Sequence, residues 1–203
     1  IFLLGFLIGI HETGHFLIAK LCKVRVNEFA IGFGPVIWKK QGKETKYELR
    51  LIPLGGFVNM EGEAEQSEKE GSFTKASIPR RIAIVAAGAL VNIIFAIIVY
   101  FILAMTVRGD ITNAVVGNRV LDADNFENRL YFASYNTKEF MLSIVESVKQ
   151  LFTGKVSSAE LVGPVGISEV VAKTNGFREF IYILAAISIS LGVTTVSYTH
   201  LRA

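Results

Sequence analysis

Residues 1–22 read IFLLGFLIGIHETGHFLIAKLC, and the chain is apolar on both sides of His11-Glu12-Thr13-Gly14-His15. The stretch is long enough for one helical crossing of a bilayer, which takes about 20 predominantly apolar residues. Ionisable side chains are costly at membrane depth unless they have a partner or a task. Two imidazoles and a carboxylate in this setting therefore mark a candidate functional site.

The spacing of the two histidines suits a metal ion. On an α-helix, residues i and i+4 lie on one face, so His11 and His15 can ligate one zinc ion with Glu12 beside it. A catalytic zinc with three protein ligands keeps a fourth position for water and lowers the pKa of that water to about 7. Glu12 is then the candidate general base. The alternative is two histidines buried only for packing, and it leaves three polar side chains in lipid without a partner.

Composition favours an integral membrane protein. Of the 203 residues, 51% are hydrophobic, and the mean hydropathy is +0.46. These values are too apolar for an ordinary soluble domain. The single cysteine, Cys22, excludes an intrachain disulfide framework. The net charge of +3 comes without a basic cluster interleaved with aromatic residues, so no nucleic-acid partner is expected. The chain opens on Ile1 and is expected to be a fragment.

Two further stretches are candidates for crossing the membrane. Residues 82–107 are uncharged and lie between Arg80-Arg81 and Arg108. A weaker run, residues 179–193, is the predicted start of a third span, and the sequence turns polar after Thr194. The pattern predicts a mainly α membrane protein with about three transmembrane helices.

The segment between the first two spans changes period. Tyr47, Leu49 and Leu51 alternate with Glu48 and Arg50, which is typical of a strand. Residues 29–33 alternate in the same way, and a polar turn separates the two runs. Residues 24–60 are therefore predicted to form a membrane-associated β-hairpin or small sheet.

Residues 108–178 follow the second span and include an amphipathic helix predicted over 140–152. Its apolar residues recur at steps of three and four. Twelve Lys and Arg lie within residues 20–81, against eight within 108–178. The positive-inside rule then places the hairpin in the cytoplasm and 108–178 outside the cell membrane.

Several motifs occur together and in one order along the chain. They are HETGHF at 11–16, IGFGP at 31–35, YELRLIPLGGFV at 47–58, MEGE at 60–63, Ala87-Gly88 with Asn92, and GPVGI at 163–167. With them the chain resembles the site-two protease family of intramembrane zinc metalloproteases, in its bacterial branch that processes anti-sigma factors.

The resemblance implies a function and further site residues. It implies a Zn²⁺-dependent endopeptidase of the bacterial inner membrane, multi-pass, that cleaves single-span membrane proteins within the lipid bilayer. The hairpin would re-enter the membrane and present substrate as an extended strand, with Tyr47, Leu49 and Leu51 at the receiving edge. The position of Asn92 implies a hydrogen bond to the substrate backbone. Taken from the residue alone, Asn92 serves its own helix equally well.

Two departures from the family pattern stand out. A PDZ domain needs roughly 80–100 residues, and residues 109–138 offer about thirty, so that module is expected to be reduced or absent. The family's third zinc ligand is an aspartate in a Leu-Asp-Gly motif, and after Leu191-Gly192-Val193 none follows. Residues 194–203 read TTVSYTHLRA and are interpreted as a non-native tail, so His200 is not assigned to the metal.

Asp110, Asp122 and Asp124 are not assigned to the metal either, because they lie in the segment predicted outside the membrane. With two ligands the polypeptide as written is expected to be inactive, even where its parent is a protease. One alternative is a non-catalytic membrane protein of the same fold that binds transmembrane segments. A transporter or channel would need polar residues on several spans, whereas here they concentrate in one motif.

Overall fold

The computed structural model describes residues 2–107, 109–152 and 176–202. It divides into two compact units, one of residues 1–92 with 195–203 and one of residues 93–194. The elements in chain order are α1 (Phe2–Leu21), β1 (Val26–Gln41), β2 (Lys46–Met60), α2 (Ile78–Met105), β3 (Val115–Val116), β4 (Arg119–Val120), α3 (Phe126–Phe152) and α4 (Phe177–Arg202). The prediction of a mainly helical chain with a small sheet after the first helix is confirmed at this level.

The helix α1 carries the histidine motif, as the spacing predicts. The β1–β2 hairpin follows. Its antiparallel strands pair Gln41 with Lys46 and Trp38 with Leu49. A small core joins the end of α1 to both ends of the hairpin and to the start of α2. Its buried members are Ala19, Val24, Val26, Met60 and Ile84. This core fixes the motif against the hairpin and the first turns of α2.

The long hairpin strands bend, so that residues 28–31 and residues 46–49 each have strand neighbours on both sides. Phe29 is paired with both Tyr47 and Val58, and Ile31 is paired with both Leu49 and Gly56. Residues 28–31 therefore lie between 46–49 and 56–59. The second of these, residues 56–59, has a single partner segment in the part of the chain that the structure describes.

The helix α2 begins at Ser77-Ile78-Pro79, where proline in the first turn costs no intrahelical hydrogen bond. Among the described residues, α2 is the one helix long and apolar enough to cross a membrane by length and composition. The predicted count of three spans therefore stays a prediction, as does the assignment of 108–178 to the outside.

In the unit of residues 93–194, a core of Ala96, Phe140, Ala185 and Ile189 holds the rest of α2, α3 and α4 together. The amphipathic helix predicted over 140–152 is longer, because α3 begins at Phe126. The Asn128 N–H donates to the Asn125 side-chain oxygen at 2.9 Å, and this cap starts the helix earlier than the apolar periodicity indicates. The Gly-Pro motif at 163–167 lies outside the described residues.

Candidate metal centre

The site forms where α1 crosses α2 at two glycines. A Cβ atom on Gly14 would lie 2.7 Å from the Ala87 carbonyl oxygen, so any larger residue would push the two helix backbones apart. A Cβ atom on Gly88 would lie 2.5 Å from His15 Nε2 and 2.6 Å from His11 Nε2. Both imidazoles therefore turn their Nε2 atoms to one space, which is open because residue 88 has no side chain.

The Nδ1 atoms of both rings face partners on α2. The His15 Nδ1–H donates to the Ile84 carbonyl oxygen at 2.7 Å, which leaves Nε2 of that ring with a free lone pair. Nδ1 of His11 lies 3.3 Å from Asn92 Nδ2. When the Asn92 amide is turned by half a rotation, so that its oxygen and nitrogen exchange places, the oxygen can accept a hydrogen bond from His11 Nδ1–H. Metal-binding histidines characteristically donate their second N–H in this way.

These donors fit a metal ion. The histidine rings are 4.8 Å apart between centroids, and their Nε2 atoms converge on the cradle at Gly88. Imidazole nitrogen is a preferred ligand of zinc. Among the residues that the structure describes, no group of three or more His, Cys, Asp or Glu can hold a metal ion. Within the described part of the chain, the structure therefore brings together the two predicted histidines and no third ligand of those types.

Glu12 lies beside the histidines and faces β2. Its Cγ atom would be 3.3 Å from a Cβ atom on Gly56, so the strand backbone passes close to the carboxylate. Glu12 and His15 line a cavity of about 210 Å³ together with Val58, Met60, Glu63, Ile84 and Val85. The candidate general base, a candidate metal ligand and a strand thus share one small space.

Glu63 is the titratable residue of this cavity to which the sequence pattern gave no role. Its carboxylate accepts a long hydrogen bond from the Met60 N–H at 3.4 Å. Although Glu63 is an exposed residue by surface area, desolvation of its carboxyl at the cavity raises its pKa. The available signal was its place in the MEGE motif directly after the hairpin.

A known protein family matches the part of the chain that contains these residues. The family model described as Peptidase family M50 matches residues 1–195. The chain belongs to peptidase family M50. The resemblance seen in the sequence motifs is thereby confirmed.

Relatives of this M50 chain come from several bacteria. It is 28% identical to a putative zinc metalloprotease of Fusobacterium nucleatum over 273 residues, covering 94% of this chain and 80% of the relative. It is 46% identical over 102 residues to a putative zinc metalloprotease of Clostridium acetobutylicum, covering 50% of this chain and 30% of the relative. The regulator of sigma-E protease RseP of Escherichia coli is 44% identical over 104 residues, covering 49% of this chain and 23% of the relative. This chain thus spans less than a third of the length of the latter two.

The pairing within the M50 hairpin corrects the predicted position of the open strand edge, whereas substrate binding by Tyr47, Leu49 and Leu51 stays a prediction. Tyr47 and Leu49 have backbone neighbours on both sides, so they do not form an open strand edge. The Tyr47 ring packs against Phe16, at 5.9 Å between centroids, and this contact ties the hairpin to α1. The side chains of Leu49 and Leu51 are 41% and 59% exposed. The periodicity found the strand, whereas which segment lies at its edge depends on pairing with distant residues.

The sequence analysis predicts a functional role for Asn92, and the structure places this residue in a buried contact with His11. The residue is 1% exposed, on the face of α2 that meets α1, with its amide at the His11 ring. The contact that the structure shows is therefore with His11, a candidate metal ligand. A hydrogen bond from Asn92 to substrate remains a prediction.

Proposed function

We propose that this chain carries the metal-binding core of an intramembrane zinc metalloendopeptidase, active in the complete protein. The observation that carries the proposal is the convergence of His11 and His15 Nε2 on the Gly88 cradle, with Glu12 in the adjoining cavity. The names of the Fusobacterium and Clostridium relatives, which are called zinc metalloproteases, support the reaction class.

Each residue has a defined task in this reaction. His11 and His15 would hold zinc through Nε2, and bound zinc supplies an acidified water and polarises the scissile carbonyl. The Glu12 carboxylate takes a proton from the attacking water and returns it to the leaving amide nitrogen. Asn92 and the Ile84 carbonyl hold the two imidazoles in the orientation that this task needs.

Substrate is proposed to bind as a strand beside residues 57–59. This segment has a free side in the described part of the sheet, and Val58 lines the cavity that contains Glu12. Main-chain hydrogen bonds to an open edge hold an extended peptide with little dependence on its side chains. A membrane-spanning helix must unwind before cleavage, and an added strand keeps it unwound next to the base.

The substrates are proposed to be single-span regulatory membrane proteins such as anti-sigma factors. The support is that the E. coli relative is named a regulator of sigma-E protease. The location that goes with this function is the bacterial inner membrane, with the hairpin on the cytoplasmic side. The apolar helix α2 supports a membrane location.

A non-catalytic membrane protein of the same fold is the second candidate, and one observation favours it. The described residues supply two ligands, whereas catalytic zinc sites use three protein ligands. A site with only two protein ligands would hold zinc weakly and would not turn over substrate. A binding protein for transmembrane segments would need neither zinc nor Glu12.

The experiment that separates these candidates uses the complete protein in proteoliposomes with a single-span substrate. Glu12→Gln keeps the shape of the side chain and removes the base, so we expect zinc content to be unchanged and cleavage to fall by several orders of magnitude. His11→Ala or His15→Ala should abolish zinc binding. Glu65→Gln removes a carboxylate that does not line the cavity and should leave both readouts unchanged. Full cleavage by Glu12→Gln would refute the assignment of the base.

A further inference from the structure

The C-terminal end of α1 adopts a backbone motif that glycine usually completes. The Val24 N–H donates to the Ala19 carbonyl at 2.9 Å, and the Lys23 N–H donates to the Lys20 carbonyl at 3.1 Å. These two bonds define a Schellman motif, in which the residue after the cap is left-handed. Here that residue is Lys23, with φ of 60°. A side chain in this conformation is strained, and strained non-glycine residues concentrate at functional positions.

Lys23 lines a cavity of about 340 Å³ that three parts of the chain build together. Lys75, from the loop after the hairpin, and Arg80, from the first turn of α2, bring two more cations to it. Glu70 is the one carboxylate among the described lining residues. The cavity therefore has a surplus of positive charge.

The positive charge of this cavity is only partly neutralised by the described residues. Lys23 and Arg80 are exposed, and neither has an ion-pair partner in the described ranges 2–107, 109–152 and 176–202. Lys75 pairs with Glu68 at 3.1 Å and also donates to the Glu68 backbone carbonyl. The Glu68 carboxylate is 98% exposed, so this pair is weak and mainly fixes the position of the ammonium group.

The position of the cavity identifies the class of anion. It lies where the C-terminal end of the apolar helix α1 meets the N-terminal end of the apolar helix α2. Leu21, next to the cavity residue Cys22, is 76% exposed, and Ile78, two residues before Arg80, is 63% exposed. Cations beside exposed apolar side chains match a phosphate group that carries acyl chains. Anionic lipids also give a membrane surface a negative potential that attracts Lys and Arg.

We propose that the cavity lined by Lys23, Lys75 and Arg80 binds the phosphate group of an anionic phospholipid at the membrane face where α1 ends and α2 begins. This site goes beyond the proteolytic centre, since none of its lining residues lines the cavity of Glu12. This role explains why Lys23 occupies a position that glycine usually takes. The charge of the lysine contributes to lipid binding, and its left-handed backbone conformation is the cost.

Lys23→Gly gives a sharp test because folding and binding should respond in opposite directions. Glycine adopts the left-handed conformation without strain, so the thermal midpoint in phosphatidylcholine nanodiscs should stay level or rise. Phosphatidylglycerol should raise the midpoint of the wild-type protein, since a ligand of the folded state stabilises it. Lys23→Gly should lose most of that gain, and Lys23→Arg should keep it.

Retention of phosphatidylglycerol, measured by native mass spectrometry, gives the second readout. Removal of one cation in Lys23→Gly or Arg80→Gln should weaken the affinity about fivefold. Lys43→Gln removes a cation from the hairpin turn, outside the cavity, and should bind as the wild type does. Equal binding by Lys23→Gly, Arg80→Gln and the wild type would overturn the proposal, as would an equal loss in Lys43→Gln. Soluble glycerol phosphate that reproduces the stabilisation in phosphatidylcholine would overturn the assignment to a lipid.

Discussion

Replacing Gly88 with alanine should remove the metal while leaving the fold largely intact. The new Cβ atom would lie 2.5 Å from His15 Nε2 and 2.6 Å from His11 Nε2, against 3.4 Å for an ordinary contact. Each ring must therefore withdraw by about 0.8 Å, whereas metal–ligand distances tolerate about 0.2 Å. Because the displacement exceeds this tolerance, we expect both histidines to leave their metal-binding positions.

The cost to folding should be smaller than the cost to metal binding. The clashing atoms belong to histidine rings, which can rotate, and overpacking of this kind costs about 1–3 kcal/mol. Alanine also gains about 1 kcal/mol of helix propensity over glycine. The free energy of unfolding without metal should therefore fall by no more than about 2 kcal/mol.

Two other glycines provide matched controls on α1. A Cβ atom on Gly9 meets only Ile31 Cγ2, at 4.0 Å, so Gly9→Ala should keep both zinc and stability. Gly14→Ala meets the Ala87 backbone at 2.7 Å and should destabilise the helix crossing itself. The assay is zinc content by mass spectrometry of the purified complete protein, with thermal unfolding in chelator. Full zinc occupancy in Gly88→Ala would refute the convergence of both Nε2 atoms on this cradle.

Three further predictions concern the surroundings of the site. Asn92→Ala should weaken zinc affinity about 10–100-fold by releasing the His11 ring, as measured by competition with a chelator, and an unchanged affinity would contradict that contact. The hydrogen bond from Lys46, followed by that from Arg50, lowers the pKa of Glu48 to about 2 from 4.5, so its stabilisation is present above pH 4.5 and is lost as the pH falls through 2. Thermal midpoints of the wild type and Glu48→Gln should therefore converge over this window, and a constant difference would contradict the assignment. Leu49→Pro should lower the midpoint more than Leu49→Ala because Leu49 has strand neighbours on both sides, and equal midpoints would place Leu49 at an edge instead.

The sequence predicts the helix and the ligands because both depend on local spacing. Residues i and i+4 share a helix face in any context, so His11 and His15 could be paired without knowledge of the fold. The two arms of the hairpin were predictable for the same reason, from alternation over a few residues. The start of α3 was not, because a side-chain cap at Asn125 outweighs the polar composition of the turns that follow.

The role of Gly88 could not be read from the sequence, since it depends on where α2 crosses α1. Ala87 and Gly88 were recognised as part of a motif, yet nothing in their spacing says that both histidine Nε2 atoms turn to the space left by the missing side chain of Gly88. The same limit explains why the sequence did not show that Tyr47 and Leu49 lie inside the sheet and away from its open edge. Alternation with a period of two residues identifies a strand. Which strand lies at the free edge of the sheet depends on the pairing of residues 28–31 with two other segments.

The strand edge at residues 57–59 can be tested separately from the metal site. Successive N–H groups of an edge strand alternate between the paired and the open side, so a proline scan of Phe57, Val58 and Asn59 removes outward and inward donors in turn. If substrate adds to this edge, proline at an outward position should lower cleavage of a single-span substrate while zinc content and thermal midpoint stay near those of the wild type. Proline at an inward position should lower the midpoint through lost bonds to residues 28–30.

Alanine at the same three positions keeps every backbone donor and separates side-chain contacts from the ladder. Full cleavage by every proline variant that retains zinc would leave the hairpin with a structural role only, and the peptide would then have to reach Glu12 by another route.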